Sequence, residues 1–264
     1  MPFDIVAFLE TQTATALSPV AAVSDDVYRT SGDDLFVQEY APNLAGLLQI
    51  GVSTPKYAQI RQPSLKVPYG FYKSALSTDI DHRAGFTNMM TRPLPLKAGE
   101  KMNAYVQNAS AEYSVIVAWL ASGAKNPIPP RTFSLNEAFR ITGYADSTLV
   151  ANVWNKITMT WDSDLPEGRY AVLSMKAGTY LAAGAQPIAA RIVLLDSLWR
   201  QGVITNELTG DKIEDISALS EVTDQEWGEN SEVSFKHDQM PKIEFLSLTA
   251  DTDHIVELLL RKIA

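Results

Sequence analysis

The chain of 264 residues contains no cysteine. This absence excludes disulfide bonds, thiolate metal ligands and thiol nucleophiles, so stability must come from packing and from any assembly with other chains. Histidine is also scarce, and His82, His237 and His254 lie too far apart in sequence to form a ligand pair of metal-site spacing. The usual nucleotide-binding, zinc-protease and serine-hydrolase motifs are missing as well. We therefore expect no enzyme, no cofactor and no metal site.

Long apolar runs and basic segments are missing too. No stretch reaches the roughly 18 apolar residues that a membrane-spanning helix needs. The net charge is −9, and residues 201–264 carry all of it, with 14 acidic and 5 basic side chains. Without a basic arm or patch, direct binding of nucleic acid is not expected. Hydrophobic residues make up 46% of the chain and charged residues 20%, a composition typical of globular proteins.

Residues 1–27 are predicted to form an N-terminal helix or arm. The apolar residues from Ile5 to Leu9 suggest a short amphipathic helix that ends at Ser18-Pro19. Asp4 and Glu10 interrupt the apolar run, which argues against a secretion signal. The helix is expected to pack on its own chain or on a neighbour, with contact to a membrane surface as the alternative.

A duplicated segment is the strongest feature of the sequence. Lys101–Trp119 and Lys242–Leu260 match without a gap at an offset of 141 residues (242 − 101), and each reads as a hairpin of strand, turn and strand. Ala190-Arg191-Ile192 matches Ala58-Gln59-Ile60 at an offset of 132 (190 − 58). A repeat of this length indicates two domain-sized copies of one fold.

The rest of the chain predicts an all-β fold with two domains. Short apolar runs alternate with clusters of Gly, Pro, Asn and Ser about every ten residues. Residues 126–132 contain three prolines in four positions, which is typical of an extended linker. The prediction is a first β-sandwich over residues 28–125 and a second over residues 133–264.

Short helices are predicted in the second half of the chain. Ser134-Leu135-Asn136-Glu137 has the form of a capping box, which suggests a helix running through Phe139 and Ile141. The acidic connection 206–232 has apolar residues at helical spacing.

Two local motifs contain residues of the kinds used in catalysis or metal binding. Asp81-His82 could orient a general base, but such a pair in a loop is usually a surface pair. Asp251-Thr252-Asp253 resembles the start of a calcium loop but lacks its glycine and its distant glutamate, so a turn rich in small polar residues explains it better.

Two strand-rich copies, a proline-rich linker and long connections at 67–95 and 206–232 together resemble the double jelly-roll major capsid proteins of tailless icosahedral viruses. The resemblance covers about Tyr28 to Ile263. It implies two tandem jelly-roll sandwiches, a homotrimer that self-assembles into the capsid of a virion, and no catalysis. It also implies contacts with neighbouring capsomers, with other virion proteins and with an internal lipid membrane near the N-terminal helix, and no direct contact with nucleic acid.

Such a protein works through its interfaces, which bury aromatic and methionine side chains. The candidates share these side-chain types and lie in the long connections: Tyr69, Phe71, Tyr72, Phe86, Met89, Met90 and Trp227. Their alternative role is to cover the ends of the sandwiches. The alternative function is a carbohydrate-binding, lectin-like tandem β-sandwich, in which Trp227 or Tyr69 would contact sugar.

Overall fold

The computed structural model describes residues 3–12, 16–51, 55–71, 86–89, 92–108, 112–122, 138–179, 187–195, 197–207 and 234–263. All regular structure in these residues is β-strand, which confirms the predicted all-β fold. Within the same residues no helix is long and apolar enough to cross a membrane. Contacts divide the chain into two compact units, Phe3–Asn126 and Pro127–Ala264. The predicted linker, residues 126–132, lies outside the described residues.

The first unit contains eleven strands in its described part. They are β1 (Phe3–Gln12), β2 (Ser18–Val20), β3 (Thr30–Ser31), β4 (Asp34–Phe36), β5 (Asn43–Gly51), β6 (Pro55–Arg61), β7 (Tyr69–Phe71), β8 (Phe86–Asn88), β9 (Leu94–Pro95), β10 (Lys101–Asn108) and β11 (Glu112–Ala121). One sheet has the order β1-β11-β5-β8, with β9 also paired to β5. The other has the order β3-β4-β10-β6-β7, with β2 also paired to β10. This arrangement of two sheets is consistent with a β-sandwich.

The second unit contains ten strands in its described part. They are β12 (Ala138–Ala145), β13 (Asn155–Ile157), β14 (Thr160–Trp161), β15 (Arg169–Thr179), β16 (Pro187–Val193), β17 (Gly202–Ile204), β18 (Asn206–Glu207), β19 (Ser234–Lys236), β20 (Lys242–Ser247) and β21 (His254–Lys262). One sheet has the order β14-β12-β21-β15-β18, with β19 also paired to β15. The other has the order β13-β20-β16-β17.

The two units share one strand order. If the eight strands common to both are numbered along the chain, each unit has one sheet in the order 1-8-3-6 and one in the order 2-7-4-5. In the first unit these strands are β1, β2, β5, β6, β7, β9, β10 and β11. In the second they are β12, β13, β15, β16, β17, β19, β20 and β21. The duplication predicted from sequence therefore extends to the topology.

Apolar cores explain why these segments form strands. In β11 all residues from Ser114 to Ala121 are buried, and Val115, Ile116 and Val117 are β-branched residues that favour extended backbone. β15 is similarly buried from Tyr170 to Met175. Because consecutive residues are buried, these strands are covered on both faces. A continuous apolar run in the sequence predicts a strand of this kind.

The predicted N-terminal helix is wrong. Residues Phe3–Gln12 form β1, which pairs antiparallel with β11 from Phe3 opposite Ala121 to Gln12 opposite Glu112. Residues Phe3–Leu9 are all buried, Asp4 included. A strand that is buried on both faces shows no alternation of apolar and polar residues. Its apolar run therefore fits a helix and a buried strand equally well.

The predicted hairpins are also wrong, although their strands exist. β10 and β11 belong to different sheets, as do β20 and β21. The turn between each pair therefore carries the chain from one sheet to the other. Both copies make this same connection, so the sequence match marks an arch between sheets.

The helix predicted through Phe139 and Ile141 is likewise wrong, because both residues lie in β12, which pairs with β21 and β14. The capping-box residues Ser134–Glu137 lie outside the described residues. In the acidic connection 206–232, only Asn206–Glu207 is described, and it forms β18.

Candidate interaction surface

The outer face of β6 and β10 carries a polar and aromatic surface. Along β6, Ala58 and Ile60 are fully buried, whereas Tyr57, Gln59 and Arg61 on the opposite face are half-buried. On β10, Met102, Ala104 and Val106 are buried, whereas Tyr105 and Gln107 on the opposite face are half-buried. Successive strand residues point to opposite faces, so these polar side chains share one side of the sheet. We call Tyr57, Gln59, Arg61 and Tyr105 the Arg61 cluster.

The Arg61 cluster is held together by a short chain of contacts. Nε and Nη2 of Arg61 both donate to Oε1 of Gln59, at 3.0 and 2.8 Å. Nε2 of Gln59 donates to the hydroxyl of Tyr57 at 2.7 Å. The guanidinium carbon of Arg61 lies 3.8 Å from the ring centroid of Tyr105. Stacking and a forked hydrogen bond therefore fix the guanidinium in one place.

A glycine on the neighbouring strand makes room for this cluster. Gly70 pairs with Gln59, and a Cβ built at Gly70 would lie 2.2 Å from the hydroxyl oxygen of Tyr57. The tyrosine thus occupies the space that a side chain at this position would fill. A glycine inside a strand often marks such close approach.

Arg61 has no acidic partner in the described part of the chain. Its only polar acceptor there is the amide oxygen of Gln59, and its stacking partner is a neutral ring. A guanidinium offers five N–H donors in a fork that matches a carboxylate or phosphate. The cluster can therefore accept an oxyanion supplied from outside this unit.

The second unit places an arginine at the same sheet position. Arg191 on β16 pairs with Glu244 on β20, and Arg61 on β6 pairs with Asn103 on β10. Glu244 and Asn103 are 141 positions apart, which is the repeat offset. Nε of Arg191 lies 2.7 Å from Oε2 of Glu244, and its guanidinium carbon lies 4.0 Å from the ring centroid of Trp154. Arg191 is fully buried and Glu244 is 4% exposed.

The interface candidates predicted from sequence have different positions. Tyr69 is half-buried on β7 and lies opposite Ile60, so it shares the inner side of its sheet. Phe71 ends β7, and Phe86 begins β8 opposite Leu48. Met89 is buried, and its amide N–H donates to the carbonyl of Ala45. Tyr72, Met90 and Trp227 lie outside the described residues. The structure brings none of the described candidates into the Arg61 cluster.

The Arg61 cluster was missed in sequence reasoning because its residues are unremarkable singly. The available signal was the alternation of β6, in which Tyr57, Gln59 and Arg61 occupy every second position between small and apolar residues. That pattern indicates a half-buried strand with a polar outer face. The contact with Tyr105 depends on strand pairing, which the alternation does not specify.

A buried carboxylate links β1 to two later connections, the one between β2 and β3 and the one between β4 and β5. The hydroxyls of Tyr28 and Tyr40 donate to Oδ2 of Asp4 at 2.8 and 3.0 Å, and Asp4 is fully buried. Burial, together with the neighbouring Asp4 carboxylate, raises the pKa of both tyrosines well above their usual value of 10.0. The two neutral hydroxyls therefore hold the Asp4 carboxylate between them, which fixes both connections onto the first strand.

The motif that resembles a calcium loop forms part of the arch between β20 and β21. The hydroxyls of Ser247 and Thr249 donate to the carboxylate of Asp251, and the backbone N–H of Leu149 donates to its carbonyl. No group of three or more His, Cys, Asp or Glu side chains with metal-site geometry occurs in the described ranges. The side chain of Asp251 is thus used in closing the turn, and Asp253 adopts the left-handed conformation with φ of 60°.

His254 follows this turn and is fully buried. Its Nε2 lies 3.0 Å from the carbonyl of Ser147, and its ring centroid lies 4.8 Å from that of Phe245. Burial lowers the pKa of His254 below 6.5, and the carbonyl of Ser147 together with Asp251 and Asp253 partly opposes that shift. The histidine is therefore a buried neutral group that protonation would disturb.

Comparison with known proteins identifies no family for this chain. No protein-family model matches the chain, and no curated protein matches it. Among solved structures, the chain is similar to the major capsid protein P2 from Bacteriophage PM2, with 9% sequence identity and a TM-score of 0.24. That match covers 99% of this chain and 98% of the phage protein.

Proposed function

We propose that each unit is an eight-stranded jelly roll and that the protein is a major capsid protein of the double jelly-roll class. The single observation that carries the proposal is the strand order repeated in both units. A jelly roll has eight strands in two four-stranded sheets and contains two Greek keys. The orders 1-8-3-6 and 2-7-4-5 match that description in each half of the chain.

The duplicated unit gives a physical reason for a ring-shaped assembly. A closed cyclic oligomer requires each copy to contact the next through the same pair of surfaces. Three copies of a chain with two equivalent units would contribute six similar sandwiches to such an assembly. We therefore propose a homotrimer that self-assembles into a virion capsid, with other virion proteins as further partners.

This role is structural and needs no catalytic centre. Stable contacts between copies are expected to bury on the order of 1,000 Å² or more each. Membrane contact through an N-terminal helix is not part of the proposal, because residues Phe3–Gln12 form the buried strand β1. Contact with nucleic acid is not proposed either, since the net charge is −9.

The test is the mass of the purified protein in solution, measured by light scattering over a hundredfold range of concentration, with negative-stain microscopy of the same fractions. Trimers of about 87 kDa (three chains of 29.0 kDa) or closed shells are the expected result. A monomer over the whole range would overturn the proposal. Glycan-array binding by that monomer would instead support the lectin-like alternative.

A further inference from the structure

The geometry points to a carboxylate-binding site at the Arg61 cluster, occupied in the assembly by an acidic side chain of a second copy of this chain. This inference rests on the proposed function, because it needs contact between copies. It adds one defined polar contact on the outer face of the first unit, formed by Arg61 and supported by Gln59, Tyr57 and Tyr105.

In the second unit, the arginine at the equivalent position contacts both an aromatic ring and a carboxylate. Arg191 has an aromatic ring against its guanidinium, at 4.0 Å, and a carboxylate at 2.7 Å. Arg61 has the aromatic ring, at 3.8 Å, but the residue at the Glu244 position is Asn103. The amide of Asn103 donates to the carbonyl of Asp33 and to Oδ1 of Asp34. The first unit therefore has the arginine and the ring of the pair but lacks the carboxylate.

The Arg61 guanidinium is already positioned before any partner binds. Gln59 accepts from Nε and Nη2, and Tyr105 stacks on the guanidinium, while the side chain remains half-buried. A positioned arginine loses less conformational entropy on binding, so a carboxylate gains more from the contact than it would from a free surface lysine. Charge-assisted, forked hydrogen bonds to a carboxylate are among the stronger polar contacts.

Charge complementarity favours a second copy of the chain as the partner. The chain carries 31 acidic and 22 basic side chains, so its own surface offers carboxylates in excess. Copies with a net charge of −9 repel one another at long range, and a cation at a contact between two copies offsets part of that repulsion. Arg61 is a cation with no carboxylate of its own in the described part of the chain, so it can provide this offset.

Two variants test the site in the full chain. Arg61→Gln removes the cation, and Gln59→Glu supplies an internal carboxylate at the atom that Arg61 already contacts. In Gln59→Glu the hydroxyl of Tyr57 can donate to the new carboxylate, so the fold is retained. Both variants are expected to weaken association at least about tenfold, measured as the protein concentration at half-assembly, because each removes the charge available to a neighbouring copy.

Arg29→Gln is the matched control, since Arg29 stacks on Phe36 at 3.6 Å in the same unit without belonging to the cluster. It changes the net charge as Arg61→Gln does and should leave the half-assembly concentration within about twofold of the wild type. Thermal unfolding of every variant at a concentration where all are dissociated separates assembly from folding. A merely structural Arg61 would make Gln59→Glu neutral or favourable for assembly.

The outcomes separate this inference from the proposed function. If the wild type assembles and both variants assemble at the same concentration, the Arg61 site is overturned and the shell proposal stands. If both variants and Arg29→Gln weaken assembly equally, the change in net charge explains the weaker assembly. That result also overturns the Arg61 site. A wild type that is monomeric throughout overturns both proposals.

Discussion

The outer faces of the two central sheet pairs, β6–β10 in the first unit and β16–β20 in the second, differ in burial although their strand pairing is equivalent. In the first unit the arginine on this face is half-buried and hydrogen-bonded to an amide. In the second the matching arginine is fully buried and ion-paired. The same strand arrangement can therefore carry a polar face that is exposed to solvent or one that is buried. The residue opposite the arginine, Asn103 in the first unit and Glu244 in the second, decides whether the arginine is neutralised within its own unit.

Breaking the buried pair should have the largest effect. Glu244→Leu leaves the Arg191 guanidinium buried without its carboxylate, and the free energy of unfolding should fall by about 3–5 kcal/mol in urea denaturation followed by tryptophan fluorescence. The double variant Arg191→Met with Glu244→Leu removes both charges and should recover most of that loss. A single variant that loses under about 1 kcal/mol would mean that the buried charge is solvated in some other way.

The corresponding change in the first unit should be mild. Arg61→Gln removes a half-exposed cation and one stacking contact, so we expect a loss of no more than about 1 kcal/mol in the same denaturation experiment. A loss equal to that of Glu244→Leu would show that the two faces do not differ energetically, in spite of their different burial.

Gly70 on β7 and Gly202 on β17 occupy equivalent strands and extend the comparison of the two units. A Cβ at Gly202 would lie 2.2 Å from the carbonyl oxygen of Ala190, whereas a Cβ at Gly70 would meet the outer end of the Tyr57 side chain. The backbone carbonyl of Ala190 is held in the sheet, whereas the end of the Tyr57 side chain can rotate away from a new Cβ. Gly202→Ala should therefore cost about 1–3 kcal/mol, and Gly70→Ala should cost less. Thermal unfolding of the two variants gives the comparison, and equal losses would contradict it.

The second unit should also respond to pH through His254. Because burial lowers its pKa in the folded state, the unfolded chain binds the proton more readily below the ordinary value of 6.5. Stability contributed by the neutral ring is fully present above that value and is lost as pH falls towards the folded-state pKa. The unfolding free energy of the wild type should drop between pH 7 and pH 5 more steeply than that of His254→Gln. Parallel curves would exclude this histidine as the cause.

An exposed ion pair in the first unit gives the smallest expected effect. Nζ of Lys101 lies 3.3 Å from Oδ1 of Asp34, and the lysine side chain is half exposed. Lys101→Met keeps the aliphatic stem and removes the charge, so the unfolding free energy should change by less than about 0.5 kcal/mol. A larger loss would mean that solvent screens this pair less than its exposure indicates.

The sequence predicted the all-β fold and the duplication, because turn residues and apolar runs recur at strand spacing and because the offset of 141 is free of gaps. It did not predict which strands pair. A strand, a turn and a strand can form a hairpin or an arch, and only the pairing of Lys101–Asn108 and Glu112–Ala121 into different sheets distinguishes the two. Strand pairing also gives a different correspondence between the units from the sequence match of Ala58 to Ala190. Ala104 and Phe245 are equivalent in the repeat. Ala104 lies opposite Ile60, and Phe245 lies opposite Ala190. Pairing thus equates Ile60 with Ala190, two residues from the sequence match.

Composition identified neither arginine as special. Arg191 follows two alanines in an apolar run and looks like a strand residue at an open edge, yet it is fully buried because Glu244 and Trp154 meet it from other parts of the chain. Such contacts join residues 37 to 53 positions apart, beyond the reach of any local pattern. The helix predicted at the N-terminus failed for a related reason, since the partner of β1 is the distant strand β11.

The pairing of the first strand with the last in each unit has a consequence for synthesis of the chain. β1 lies beside β11, whose first residue, Glu112, is translated 109 positions after Phe3 (112 − 3). At bacterial-to-eukaryotic elongation rates of about 5–20 residues per second, the segment Phe3–Leu9 waits roughly 5–20 s for its neighbour. During that interval the backbone groups of this apolar β-strand that later pair with β11 are open to other nascent chains. Crowded translation should therefore favour aggregation before the first unit closes, and slowing the ribosome upstream of Glu112 should lower the yield of folded protein.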